Sequence, residues 1–244
     1  MENVFSRQKE DYKKARPAYP NEFFAALSKL CENKNLAWDS ATGNGQAAVS
    51  LSEHFNQVIA TDISQTQINH ATYRSNVDYR VEAVEQNSLL PNSVDMINAA
   101  QAIHWLNLDD FYNTIYRVAK RGALVAIYGF REVSVSSKID QLIDIYIQEI
   151  VGSDWREGKD YYDSEYQSLS FPFKEIKLPP FSIKLNWTLD QVLGLLDSYS
   201  GPQNYLDRVG QLPSSEIRAD MLKLWGDQQK REVVIPIVHR IGYT

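Results

Sequence analysis

From Leu36 to about Phe130, short apolar runs alternate with segments of helical spacing, the pattern of a parallel sheet built from strand–helix–strand units. The runs predict strands at Leu36–Asp39, Val58–Asp62, Tyr79–Val84, Val94–Ala100 and Ala123–Phe130. Between them the spacing predicts three helices: Gln46–Phe55, Gln65–Arg74 entered through Ser64 as N-cap, and Asp109–Ala119, which opens on two acids that favour the helix dipole. Ahead of the first strand, Phe23, Phe24, Leu27 and Leu30 recur at helical spacing within Asn21–Cys31, a helix expected to pack on the sheet.

The pattern changes after Phe130. A long helix is expected around Lys138–Val151, followed by the aromatic segment "DWREGKDYYDSEYQSLSFPF". Such a segment is either a lid or pocket wall carried by a rigid scaffold, or an insertion that packs its Tyr and Phe residues onto the core. A strand in "FSIKLNWTL", a helix over Leu189–Ser198 and the terminal run "EVVIPIVHRIGYT" complete the pattern. The last two apolar runs are expected to close the same sheet, with Pro236 favouring an edge or a bulge.

Composition narrows the function classes. Apolar residues at 43% and charged residues at 23% are ordinary for a globular chain. A formal charge of -6 argues against a surface that tracks phosphate backbones, so no nucleic-acid partner is expected. The lone Cys31 excludes an intrachain disulfide framework and any multi-thiolate zinc site, and a reducing compartment fits best. His54, His70 and His239 show no metal-ligand spacing and read as structural or exposed, so no metal is expected. No apolar leader opens the chain and no window approaches the ~18 apolar residues of a membrane span, so the expectation is a soluble, cytoplasmic protein with no membrane partner.

The chemistry starts in "LAWDSATGNGQAAVSL", Leu36–Leu51. A glycine turn feeding a helix suits a phosphate or a carboxylate. The run "GNGQAA" satisfies G-x-G-x-x-G/A with Ala48 last, and Asp62 stands 19 residues after Gly43, where an acid grips a ribose. A nicotinamide cofactor therefore stays open. Against it, Asp39, Ser40 and Thr42 interrupt the strand before the first glycine. An acid at that strand end accepts hydrogen bonds from a ligand ammonium or from the loop's own N–H groups, and it repels a pyrophosphate. The stretch thus points to a ligand bearing an amino group.

At this point the residues meet a known family. "DSATGNG" resembles the first motif, D-x-G-x-G-x-G, of class I S-adenosylmethionine-dependent methyltransferases, with Asp39, Gly43 and Gly45 in register and Ala41 replacing the first glycine. "VIATDIS" resembles the second motif, which implies Asp62 on the ribose hydroxyls and Ile63 against the adenine. "VEAVEQNSLLPNSVDMI" resembles the third and fourth, which implies that Val84 offers its backbone to the adenine edge while Glu85 serves the loop. "AAQAIHWLN", with Gln101, His104 and Trp105, is similar to a signature of small-molecule methyltransferases related to trans-aconitate methyltransferase. "YKKARPAYP", with Tyr12 and Arg16, and "LNWTLDQVLGLLDSYS" are similar to that group's arm and C-terminal segment.

The resemblance implies an α/β, Rossmann-like three-layer sandwich. Its mostly parallel seven-stranded sheet would have an antiparallel C-terminal strand, with a helical and aromatic insertion after the fifth strand. It implies one methyltransferase domain of the type 11 kind: an arm and helix over 1–34, a cofactor core over 35–130, an insertion or lid over 131–175, and closing elements over 176–244. The cofactor would be S-adenosyl-L-methionine, held by Tyr12, Arg16, Asp39, Ala41, Gly43, Gly45, Asp62, Ile63, Val84, Glu85 and Gln101. The acceptor would be a small molecule, a carboxylic acid foremost.

Methyl transfer from a sulfonium needs little acid or base, because orientation and exclusion of water can supply ~7 to 11 kcal/mol. Aromatic faces such as Tyr12, Tyr19 or Trp105 suit the sulfonium. His104 is the candidate base, or an orienter if the acceptor is a carboxylate, or a neutral loop histidine. Arg16 and Arg131 are candidate carboxylate clamps, with a surface role favoured for Arg131. Three function classes stand at this stage: a small-molecule methyltransferase, an NAD(P)-dependent oxidoreductase, and a non-catalytic cofactor-binding regulator.

Overall fold

The computed structural model describes residues 17–155, 161 and 164–244. Tyr12 and Arg16 lie outside the described residues. The chain divides into two compact units, one of Tyr19–Phe130, Asp160–Phe181 and Ile237–Thr244, the other containing Arg131–Lys159 and Ser182–Pro236.

The first unit carries the parallel strands: β1 (Leu36–Ser40), β2 (Gln57–Asp62), β3 (Val77–Val81), β4 (Val94–Ala100) and β5 (Ala119–Phe130). Helix α1 (Asn21–Leu30) precedes β1, α2 (Gln46–Leu51) and α3 (Gln65–Asn69) flank β2, and α4 (Leu108–Val118) leads into β5. The sheet continues through a three-residue β6 (Lys174–Ile176) and the long C-terminal β8 (Arg231–Tyr243), in the order β3-β2-β1-β4-β5-β8-β6. The short parallel pairings set Asp39 beside Ala60 on β2 and beside Asn98 on β4. Strand β8 runs antiparallel to β5 from Leu124↔Tyr243 to Phe130↔Ile237. The expected antiparallel C-terminal strand is therefore present. The sheet has eight strands rather than seven, since β7 (Phe181–Trp187) also pairs with β8.

The core explains the predicted strands. β4 is buried over its first six residues and β1 over its last four, as strands covered on both faces should be. Asp95 anchors the edge of this core: one carboxylate oxygen accepts the Asn35 and Leu36 N–H groups at 2.9 Å and the other accepts Lys120 Nζ at 2.6 Å. The described part of the aromatic segment packs inward. Tyr166, Leu169 and Phe173 join the cluster of Trp38, Ile97, Phe111 and Ile127, and Phe173 meets Tyr112 edge-on at 5.5 Å.

Several boundaries differ from the sequence pattern. β3 ends at Val81, not Val84, because it is a half-exposed edge strand without an apolar run. α2 and α3 stop at Leu51 and Asn69, short of Phe55 and Arg74. Ser64 does cap α3, accepting the Gln67 N–H at 3.3 Å. β5 starts four residues early, with a register irregularity between Val94 and Met96 admitting the polar Lys120–Gly122 stretch. Pro236 neither interrupts β8 nor lies at its end; it falls where the pairing with β5 stops, and its carbonyl accepts the Arg131 N–H at 2.8 Å.

In the second unit α5 (Ser137–Ile145) passes into a π-helical turn over Tyr146–Val151, where an unbroken helix was expected. Helices α6 (Leu189–Asp197), α7 (Ser200–Val209) and α8 (Ser214–Trp225) follow β7. Thr188 and Gln191 form a capping box at α6. The buried Asp197 takes hydrogen bonds from Tyr146 Oη at 2.9 Å and Ser214 Oγ at 2.5 Å, tying the π turn to the start of α8. No helix among the described residues is long and apolar enough to cross a membrane.

Candidate functional site

Strand order locates the site. From β1 the chain moves outward to β2 and β3 on one side, while β4 leads to β5 on the other, so the direction of winding reverses between β1 and β4. Open α/β sheets bind ligands in the crevice outside the carboxyl ends of the strands at such a point. Here that crevice is bordered by the loop Ala41–Gly45 after β1, by Asp62–Ser64 after β2 and by Gln101–Trp105 after β4.

The glycine loop is tightly tied. Gly43 (φ 57°) and Gly45 (φ 82°) adopt left-handed torsions that L residues resist, and a Cβ on Gly45 would collide with the Tyr79 ring, 2.7 Å from its Cε1. Ala41, the departure from the glycine pattern, also sits at φ 49°, so it holds a glycine torsion with a side chain. The Thr42, Gly43 and Gly45 N–H groups donate to Thr61 O, Asp62 Oδ2 and Thr42 O at 2.9, 2.8 and 3.0 Å. The glycines thus serve the turn, and these donors are already committed rather than presented to a phosphate.

Asp39 is fully buried, and its oxygens accept the Asn98 amide at 2.7 Å and the Thr42 hydroxyl, donors of the protein itself. Burial pushes its carboxyl from 3.8 up to about 6 against the hydrogen bonds from Thr42 and Asn98 that hold it down. Asn98 was not singled out from the sequence, and Thr42 was noted only as a polar break before the first glycine. A polar asparagine inside the apolar strand "VDMINAA" is the signal that marks the first.

Asp62 is half-buried at the end of β2, with Oδ2 on the Gly43 N–H and Oδ1 on the Ser64 N–H, both at 2.8 Å. Burial raises its pKa, opposed by those two bonds. Ile63 beside it is 77% exposed, an apolar face turned outward with no core to cover it. Val84 is buried, and its carbonyl accepts Asn87 Nδ2 at 2.6 Å. Glu85 is exposed and lines a shallow hollow with Asp110, Asn113, Thr114 and Arg117.

Beyond β4, Gln101 holds φ 54° and donates its N–H to Tyr128 O at 2.9 Å. His104 and Trp105 occupy a single 3-10 turn, their rings 4.9 Å apart, with His104 half-buried and Trp105 exposed. Tyr19 is buried in a ring stack, 4.2 Å from Phe130 and 4.8 Å from Tyr128. Arg131 pairs with Glu132 at 3.3 Å. His70 bonds Thr66 O, His54 and His239 are partly buried, and no group of metal-ligating side chains occurs among the described residues.

A family model for a type 11 methyltransferase domain matches residues 38–127, the span holding this loop and all of the first five strands except their margins. A solved structure from Anaeromyxobacter dehalogenans, provisionally named a type II methyltransferase, is 34% identical with a TM-score of 0.87, over 93% of this chain and 97% of its own. The chain belongs to the class I S-adenosylmethionine-dependent methyltransferases. A provisionally named Dictyostelium discoideum methyltransferase is 29% identical over 97% of this chain and 93% of that protein. A Saccharomyces cerevisiae protein provisionally named as an S-adenosylmethionine-dependent methyltransferase is 27% identical over 48% of this chain and 43% of its own length. The enzyme's cofactor is accordingly S-adenosylmethionine, and the nicotinamide and non-catalytic alternatives fall away.

Proposed function

We propose that this methyltransferase acts on a small molecule and that its acceptor is the carboxylate of an organic acid. The cofactor supplies an activated methyl group on a cationic sulfonium. The residues present fit it. Asp62 is a half-exposed carboxylate with one N–H on each oxygen, so each oxygen keeps a lone pair for a ribose hydroxyl, and the bare face of Ile63 adjoins it as an adenine would require. The Val84 N–H suits the adenine edge. Asp39 and Asp62 together make the pocket acidic, in favour of a cationic ligand, with Asp39 acting through the loop that it holds. Gly43, Gly45 and Ala41 shape that loop, and Glu85 stays on its rim. Tyr12 and Arg16, from the arm motif, are assigned to the same site by resemblance alone.

The observation that carries the acceptor reading is the His104–Trp105 turn directly beyond β4, bordering the same crevice. A carboxylate is a nucleophile without losing a proton, so His104 would orient it by donating a hydrogen bond while Trp105 excludes water, and no strong base is required. An acidic chain of charge -6 is a poor match to nucleic acid.

A screen with labelled methyl donor tests this. Di- and tricarboxylic acids should take up label, and the esters formed should release it on mild alkaline hydrolysis. Label found only on phenols or alcohols would overturn the carboxylate reading.

A further inference from the structure

The edge strand β3 sends one side chain to the glycine loop. Pairing sets Tyr79 of β3 beside Ala60 of β2, and Ala60 beside Asp39 of β1. In-register neighbours of a parallel ladder point to the same side of the sheet, so these three residues share one face. Ala60, wholly buried, ends at its methyl group, and the Tyr79 ring reaches across β2 to Gly45 at the start of α2. A Cβ on Gly45 would collide with the Tyr79 hydroxyl and stand 2.7 Å from Cε1 and 2.8 Å from Cζ, so the ring rests directly on the Gly45 backbone. The ring is itself tied down, since its hydroxyl donates to Thr72 O, between α3 and β3, at 3.0 Å.

The loop is thus held from two strands. At its front, Thr61 O and the Asp62 carboxylate of β2 accept the Thr42 and Gly43 N–H groups at 2.9 and 2.8 Å. At its rear, the hydrogen bonds of Gly45 are local: its N–H donates to Thr42 O and its carbonyl accepts the Val49 N–H, each at 3.0 Å. Tyr79 packs on that rear from outside. Gly45 sits at φ 82°, and glycine has the widest choice of backbone states, so a surface packed against it narrows the choice. A loop fixed in advance spares a ligand the cost of ordering it.

We propose that Tyr79 is a positioning residue whose ring, tied to Thr72 O, holds Gly45 and the rear of the glycine loop in the state that receives the amino-acid end of S-adenosylmethionine. This rests on the reading that the crevice between β1 and β4 holds the cofactor, with its nucleoside at Asp62, Ile63 and Val84. Calorimetric titration with two probes, S-adenosylmethionine and adenosine, which lacks the amino-acid end, tests it without turnover. In Tyr79→Ala the affinity for S-adenosylmethionine should fall about tenfold and that for adenosine should stay within about twofold, a split that a general loosening of the fold would not produce. Tyr79→Phe keeps the ring on Gly45 and loses only the Thr72 bond, so it should hold S-adenosylmethionine within about threefold of the unsubstituted protein. Tyr79→Leu also lacks the ring; it should show the same split as Tyr79→Ala, and it serves should that variant not fold. S-adenosylmethionine bound within about twofold by the variants without the ring, equal losses for the two probes, or a loss in Tyr79→Phe as large as in Tyr79→Ala would overturn the proposal. If Asp62→Ala left both affinities unchanged, the crevice reading would fail whatever the Tyr79 variants did.

Discussion

Asp39 keeps a carboxyl with no exposed surface at the heart of the sheet, and burial raises it from 3.8 to about 6. A folded-state pKa above the unfolded one means the native state holds the proton more tightly. The stability that this group contributes is full below about pH 4 and is lost as pH rises through about 6, a change of roughly 3 kcal/mol by pH 7. Asp39→Asn removes the ionisation, with part of the gain offset by rearranged bonds to Thr42 and Asn98. The variant should melt above the unsubstituted protein at pH 7, and the gap should close below pH 4. A gap independent of pH, followed by thermal unfolding from pH 4 to 8, would contradict this cause. Retaining so costly a charge is expected where a cationic ligand repays it, so the same variant should bind S-adenosylmethionine more weakly. The sequence placed an acid at this strand end and connected it with a cationic ligand. The Thr42 bond is local, but that the other oxygen meets Asn98 depends on the register of β1 against β4, which no local pattern specifies.

At the level of elements, the loop from β1 to α2 concentrates the strain. Ala41 at φ 49° costs about 1–2 kcal/mol relative to an ordinary torsion, and glycine there would lose ~0.5–1 kcal/mol more chain entropy on folding. Ala41→Gly should therefore stabilise the protein by about 0.5–1 kcal/mol in urea unfolding, and destabilisation by that amount would show that the torsion is not strained. Gln101 across the switch point is also left-handed, so two of the three loops bordering the crevice are held in unfavourable backbone states. Fold legibility followed burial. The central β1, β2 and β4 were readable within a residue because both faces are covered and the apolar runs are continuous. The edge strand β3 was displaced, and α7, α8 and the three-residue β6 gave no pattern, since half of each faces solvent or the element is too short to show a period. The site loops were legible through motif resemblance, whereas Tyr79 and Asn98 reach them from distant positions that spacing cannot connect.

At the scale of the whole molecule, the winding reversal between β1 and β4 gathers residues from three strands into one crevice: Asp39 and its loop, Asp62 with Ile63, and Gln101 with His104 and Trp105. The acidic balance of the chain and the acidic floor of this crevice both favour a small cationic cofactor over a polyanion. Asp62 is the side chain on which this arrangement depends most directly, since it joins the glycine loop to the α3 entrance and still keeps an acceptor for a diol on each oxygen. Calorimetric titration of the unsubstituted enzyme and of Asp62→Ala with S-adenosylmethionine is the direct measurement. The enzyme should bind, and the variant should bind at least about tenfold more weakly through the loss of charge-assisted hydrogen bonds worth ~1.5–3 kcal/mol. Equal affinity in the two proteins would contradict a ribose grip by Asp62.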